Sequence, residues 1–239
     1  VTVDTAAPAT PIVTSISVDT GTTGDGITKD NTLFVSGTAE ANSVVEVFES
    51  GVSIGTTATG VSGNWTFDYT GTVLVDGNYS FTAEAADVAG NVSATSAALS
   101  VTVDTASPVA PTVTLFSDDS GAVGDGITND DSLIVSGTAE ASSSVEVFES
   151  GTSIGTTASD GSGNWTFDYS GTILADGNYS FTAQANDAAG NASPTSPTFA
   201  VTVDTSAPTR PSVTAITMDS GTPGDGITND NTLIVSGTA

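Results

Sequence analysis

The pentapeptide Val-Thr-Val-Asp-Thr begins at residues 1, 101 and 201, and the same spacing separates Gly-Asp-Gly-Ile-Thr at 24, 124 and 224 from one another and Val-Ser-Gly-Thr-Ala at 35, 135 and 235. A period of 20 to 50 residues would make each unit one layer of a solenoid or one propeller blade, unable to bury its apolar side alone. A period of 100 is a whole domain with its own core. The sequence therefore predicts beads in tandem: repeats at 6–105 and 106–205, with 1–5 as the end of the last strand of a preceding copy. Residues 206–239 supply only two strands of a third copy, too few to close a domain, so the chain reads as a stretch of a longer array.

Within a repeat, short alternating segments rich in Val, Thr, Ile and aromatics are separated by Gly, Asn and Asp, and no segment has helical periodicity. In the second repeat the expected strands are A at 112–117, B at 132–139, C at 144–149, D at 153–158, E at 164–169, F at 178–185 and G at 198–204. Seven strands in 100 residues predict an all-β fold of tandem immunoglobulin-like seven-stranded β-sandwiches with Greek-key topology, arranged end to end. Trp165, Phe167 and Tyr169 share one face of E, and Tyr179, Phe181, Ala183 and Ala185 one face of F. Leu174 to Tyr179, like Leu74 to Tyr79, has the spacing of a tyrosine corner. Phe48, Phe148 and Ile134 alternate outward and are expected to be covered by the opposite sheet or a tilted strand.

Composition then narrows the chemistry. The 239 residues include no Cys and no His, only Lys29 and Arg210 as cations, and 28 acids, for a net charge of -26. No basic patch exists to neutralise phosphates, so nucleic acid and anionic membrane surfaces are poor partners. No run of 18 apolar residues predicts membrane insertion. Without His or Cys there is neither a Ser-His-Asp triad nor a zinc site of nitrogen and sulfur ligands. Glu46 and Glu49 lack a cleft and read as a solvated strand face rather than a glycosidase pair. The Asn64, Asn78 and Asn91 sequons are expected by chance in so Ser/Thr-rich a chain. The absence of Cys leaves the compartment open.

The order VTVDT-x-x-P, GDGIT-[NK]-D, VSGTAEA, GNWTF, L-x-DGNYSFTA and D-x-AGN resembles the bacterial Ig-like tandem repeats of giant biofilm-associated and RTX-type adhesins. The resemblance spans the whole chain, and the pattern is broken chiefly at Lys29, where the other copies have Asn129 and Asn229. It implies a structural extender of a secreted or cell-surface Gram-negative adhesin, not an enzyme, supporting adhesion or biofilm formation. Its target would be bound by a domain outside this segment, and its partners would be neighbouring repeats of the same chain. The alternative is an Ig-like module that itself binds a glycan or a protein. Near-identical loops in successive copies favour the extender.

The acids are 21 Asp and 7 Glu, most Asp lying in expected turns beside Gly, Asn or Thr. Each turn Asp could cap its own turn. Strands running between two poles, however, bring Asp19, Asp25, Asp30 and Asp104 of one repeat toward Glu140 and Asp187 of the next. Two carboxylates ~5 Å apart repel by roughly 3 kcal/mol at an effective dielectric of 20, so they either splay into solvent or share a divalent ion, for which Ca2+ suits flexible oxygen donors. Gly-Asp-Gly-Ile-Thr is not an EF-hand loop. The resemblance implies Ca2+ at the joints, with the linker Asp, the Glu of GTAE and the Asp of D-x-AGN as ligands. Carried through the copies, the candidate set is Asp4, Asp19, Asp25, Asp30, Glu40, Asp87, Asp104, Asp119, Asp125, Asp130, Glu140, Asp187, Asp204, Asp219, Asp225 and Asp230. Adaptation of an acidic surface to high salt could also explain the charge, but would spread the acids over strand faces rather than concentrate them in turns; it and calcium binding are not exclusive.

Overall fold

The computed structural model describes residues 2–216, 220–222, 224–229 and 231–239, and no helix is present among them. The first repeat runs β1 (Ile12–Ser17), β2 (Ile27–Thr28), β3 (Phe34–Thr38), β4 (Val44–Glu49), β5 (Val52–Ala58), β6 (Asn64–Asp68), β7 (Gly77–Ala86) and β8 (Leu99–Val103). The second follows as β9 (Thr112–Phe116), β10 (Ile127–Thr128), β11 (Ile134–Thr138), β12 (Ser144–Glu149), β13 (Thr152–Ala158), β14 (Asn164–Asp168), β15 (Gly177–Asn186) and β16 (Phe199–Val203). Each repeat packs a three-stranded sheet, β1-β3-β6 or β9-β11-β14, on a five-stranded one, β2-β8-β7-β4-β5 or β10-β16-β15-β12-β13. In the third copy β17 (Ser212–Ile216) pairs β18 (Val235–Thr238) in the β1–β3 register, Ser212 opposite Thr238 as Ile12 is opposite Thr38.

Two details go beyond the seven expected strands. The segment expected as D lies in the sheet of C, F and G, where β13 pairs β12 from Ser144 opposite Ala158 to Glu149 opposite Thr152, with one register shift between Val147 and Phe148. The cause is local, because Ser150 and Gly151 both take positive φ (47° and 79°), the two-residue hairpin geometry that zips flanking strands together and leaves no chain to cross between sheets. The long loop between A and B is also not free. Its Ile127 and Thr128 form β10, parallel to β16, with Thr202 N–H donating to Gly126 O and Asp204 N–H to Thr128 O at 2.8 Å each.

The alternation places the core as expected. Phe181, Ala183, Ala185, Val201 and Val203 are buried with Val135, Val145, Val147, Leu133 and Trp165, and Phe167, Tyr169 and Tyr179 pack at the margin. Burying one such Phe or Leu contributes about 1.5–3 kcal/mol, so each repeat closes on its own apolar interior. Gly137 lies beneath the Trp165 indole, where a Cβ would stand 2.7 Å from a ring carbon; this explains the glycine of Val-Ser-Gly-Thr-Ala in strand B. The tyrosine corners form: Tyr79 Oη donates to Val75 O at 2.7 Å and Tyr179 Oη to Ala175 O at 2.9 Å. Phe48 is half-buried, flanked by Thr82, Glu84 and Thr95 on the outer face of its sheet rather than covered by the opposite one.

Candidate functional site at the joint between repeats

The loop between β1 and β3 carries three of the candidate acids, and each first serves its own backbone. Asp19 Oδ2 accepts from Gly24 N–H, Asp25 Oδ1 from Ile27 N–H at 2.9 Å, and Asp30 Oδ1 from both Thr32 N–H and Thr32 Oγ1 at 3.0 Å. Buried Thr28 ties the loop across its base, donating from Oγ1 to Val18 O at 2.7 Å. The second repeat repeats the pattern with Asp119, Asp125 and Asp130 on Gly124, Ile127 and Ser132. One atom of each loop is left over: Asp19 Oδ1 and Asp119 Oδ1 are buried without a hydrogen-bond partner. An orphaned buried carboxylate oxygen is costly, so it marks a place that a cation would suit.

The linker and the following repeat contribute the opposite side. Asp104 Oδ1 accepts from Ala106 N–H at 3.0 Å, as Asp4 does from Ala6 and Asp204 from Ser206. In the turn after β15, Asp187 takes Asn191 N–H at 2.8 Å and Asn191 Nδ2 at 2.9 Å, and the same Nδ2 reaches Asp104 O at 2.8 Å. Asn91 makes the corresponding bridge from Asp87 to Asp4 O, and its side-chain amide holds the Asp87 carboxyl below the usual carboxylate range. Asp176 is also depressed, to about 2, first by the Ser206 hydroxyl and then by the Thr205 N–H and hydroxyl that it accepts from the linker.

Direct contact then joins the two repeats. Thr20 Oγ1 donates to Ala189 O and Lys29 Nζ to Gly190 O, both at 2.6 Å, across sequence separations of 169 and 161 residues. Ala189 is 1% exposed, whereas its counterpart Ala89 is exposed.

Of the candidate acids, Asp4, Glu40 and Asp87 line one depression of about 430 Å³ with Thr2, Val88 and Ala89. Asp19 lines a separate crevice, and Asp119 and Asp125 share its counterpart in the second repeat. Glu140 is exposed, and its carbonyl rather than its carboxylate is held, by Ser143 and Ser159 hydroxyls. Asp225 Oδ1 caps Ile227 N–H at 2.9 Å. Asp219 and Asp230 lie outside the described residues. Among the described residues no three acids stand close enough together to form a ready metal-ligand set. Sequence reasoning missed Asn91, Asn191, Asp76 and Asp176; the recurring Asp-Gly-Asn and Ala-Gly-Asn triplets were their signal. It noted Lys29 only as a departure.

Two sandwiches of closely similar sequence, meeting through loops, define a tandem immunoglobulin-like protein. Residues 6–105 and 107–205 each match the model of the bacterial Ig-like domain, and the chain belongs to that family. It is 33% identical over 218 residues to Exoglucanase B of Cellulomonas fimi, a match covering 89% of this chain and 19% of that protein, so the chain spans about a fifth of the length of this relative. Among solved structures it is similar to the fibronectin(III)-like modules of Clostridium thermocellum CbhA, with 19% identity, coverage of 79% of this chain and 93% of that one, and a TM-score of 0.46. It is also similar to a Ca2+-stabilized adhesin with which an Antarctic bacterium reaches out and binds ice, at 28% identity, coverage of 87% and 54%, and a TM-score of 0.41. A tetra-tandem repeat from the extending region of a large adhesion protein matches at 25% identity, coverage of 84% and 50%, and a TM-score of 0.34.

Proposed function

We propose that the chain is a structural extender of a bacterial surface or secreted adhesin, its joints stiffened by Ca2+, holding a target-binding domain elsewhere in the parent protein away from the cell. The observation that carries the extender reading is the joint itself: two copies of one domain engage through loops at opposite poles, Thr20 and Lys29 against Ala189 and Gly190. A ten-residue strand such as β7 rises about 33 Å, so each added repeat lengthens the rod by roughly that amount. The likeness to a fifth of Exoglucanase B fits a module that accompanies other domains. No catalytic role is assigned.

Ca2+ is supported by donor chemistry. Every candidate ligand is an oxygen, the loops are Gly-rich, and Asp19 Oδ1 and Asp119 Oδ1 are buried without partners. Asp19, Asp25, Asp30 and Asp104 of the first repeat with Glu140 and Asp187 of the second are the groups an ion at this joint would have to draw together, since they do not form a gathered set here. An ion bound there would supply positive charge against the repulsion that these carboxylates would feel once brought together. Calorimetric titration of the chain with Ca2+, paired with small-angle scattering, tests this reading. Binding heat and a larger maximum dimension in Ca2+ than in EDTA are expected. Absence of heat together with identical scattering overturns the stiffening role.

A further inference from the structure

We infer that the Thr20, Gly21 and Lys29 surface of the first repeat is a docking site for the 187–190 turn of the second, a latch between protein groups that orients the joint without a bound ion. The inference goes beyond the calcium reading and does not require it.

The turn is built to be recognised. Gly190 N–H and Asn191 N–H are both used by Asp187, the first on its carbonyl at 3.1 Å and the second on its carboxylate at 2.8 Å. That fixes the turn with the carbonyls of Ala189 and Gly190 directed outward, two acceptors side by side. The first repeat meets them with two donors, the Thr20 hydroxyl and the Lys29 ammonium, each at 2.6 Å. Within its own loop the Thr20 hydroxyl accepts Lys29 N–H at 2.8 Å and lies 3.1 Å from Thr28 Oγ1, so little side-chain freedom remains for Thr20 to lose on docking.

Shape agrees with the donors. A Cβ on Gly21 would run into the Ala188 carbonyl oxygen, and one on Gly190 would lie 2.9 Å from Gly21 N. The equivalent Gly90 and Gly121, which face no second repeat here, have nothing within 4 Å of that position although their φ angles, +89° and +82°, match those of Gly190 and Gly21, +83° and +73°. The partner that fits is therefore a turn of the Asp-x-Ala-Gly-Asn type, small at its fourth position.

Lys29 makes this latch particular. It is one of two cations in a chain of net charge -26, and it stands where the other copies carry Asn129 and Asn229. An ammonium on a flexible stem reaches farther than an amide and makes a stronger, charge-assisted bond. Joints bearing lysine are thus held by protein alone more firmly than joints bearing asparagine.

The test uses the full chain, which has no native Cys, with spin labels at Val61→Cys and Ile173→Cys, positions 88% and 71% exposed. In EDTA the parent is expected to give a narrower distance distribution than Lys29→Asn, one that Ca2+ can narrow further. Lys29→Asn broadens it, since losing one charge-assisted bond at an exposed site lowers the docked-to-free ratio about threefold, and Lys29→Arg keeps it narrow. Gly190→Ala broadens it as well, whereas Gly90→Ala, with the same backbone strain and no facing repeat, does not. Equal widths for the parent and Lys29→Asn, or for Gly190→Ala and Gly90→Ala, overturn the latch. Adding Ca2+ to Lys29→Asn reads the ion separately: narrowing supports stiffening by calcium and no change counts against it, while the latch stands or falls on the widths in EDTA.

Discussion

Gly21 and Gly190 stand backbone to backbone across the joint, close enough that neither position leaves room for a side chain. Both also take positive φ, so glycine is required there twice over, once by its own loop and once by the neighbouring domain. The second requirement is invisible in either repeat alone. It converts a loop ordinarily tolerant of change into a surface that a second domain reads.

Asn191 holds the turn and the linker together through three hydrogen bonds, two to Asp187 and one to Asp104 O. Asn191→Ala leaves Asp187 and Asp104 O without this side-chain donor and is expected to destabilise the second repeat by about 1–2 kcal/mol. Urea unfolding followed by hydrogen exchange on peptides from each repeat measures it. A loss confined to the first repeat would contradict the assignment.

Gly137→Ala should be more disruptive than its size suggests. Its Cβ meets the Trp165 ring and the Thr112 carbonyl, backbone and aromatic groups that cannot swing aside. We expect about 1–3 kcal/mol of destabilisation and an altered near-ultraviolet signal from Trp165, with the first repeat unchanged. Wild-type stability and an unchanged tryptophan signal would contradict that packing.

Tyr179→Phe removes the hydroxyl that bonds Ala175 O at 2.9 Å and little else. The expected cost is about 1 kcal/mol, read as a lower denaturation midpoint with the same slope. The same change at Tyr79 should act on the first repeat alone, since each hydroxyl bonds within its own domain.

Acid should loosen the end of the second repeat through Asp176. Its folded pKa is about 2 against an ordinary 3.8, a depressed value, so its stabilising contribution is present above about pH 4 and is lost as pH falls toward 2. Asp68, Asp87, Asp160 and Asp168 are shifted in the same direction by bonds from their turns and add to that limb. Urea midpoints between pH 5 and pH 2 should fall less steeply in Asp176→Asn than in the parent. Parallel curves would contradict a part for Asp176 in the acid limb.

Chelation is expected to leave the sheets intact. Both cores are built of apolar side chains packed on one another, with no carboxylate among them, so metal would act at the joints and loops while Val35, Phe81 and their counterparts stay buried. Far-ultraviolet circular dichroism in EDTA at room temperature checks this. Loss of most of the β signal would show that a metal is part of each domain's folding.

The sequence by itself determined what repeats at short range. A 100-residue period set the number and size of the domains, and two-residue alternation put Phe181, Ala183 and Val201 inside. The Leu-x-Asp-Gly-Asn-Tyr spacing announced the corner made by Tyr179. These features depend on local periodicity, which a chain carries openly. Which sheet β13 joins was decided by φ at Ser150 and Gly151, a conformation that the residues permit but do not dictate. The tie of Ile127 and Thr128 to β16, and the meeting of Thr20 and Lys29 with Ala189 and Gly190, were decided only when distant segments closed into rigid domains. The acids divide along the same line: their abundance in turns was plain, but most cap their own backbone, because a nearby N–H is always within reach of a turn carboxylate, whereas a ligand set needs side chains that only tertiary structure brings together.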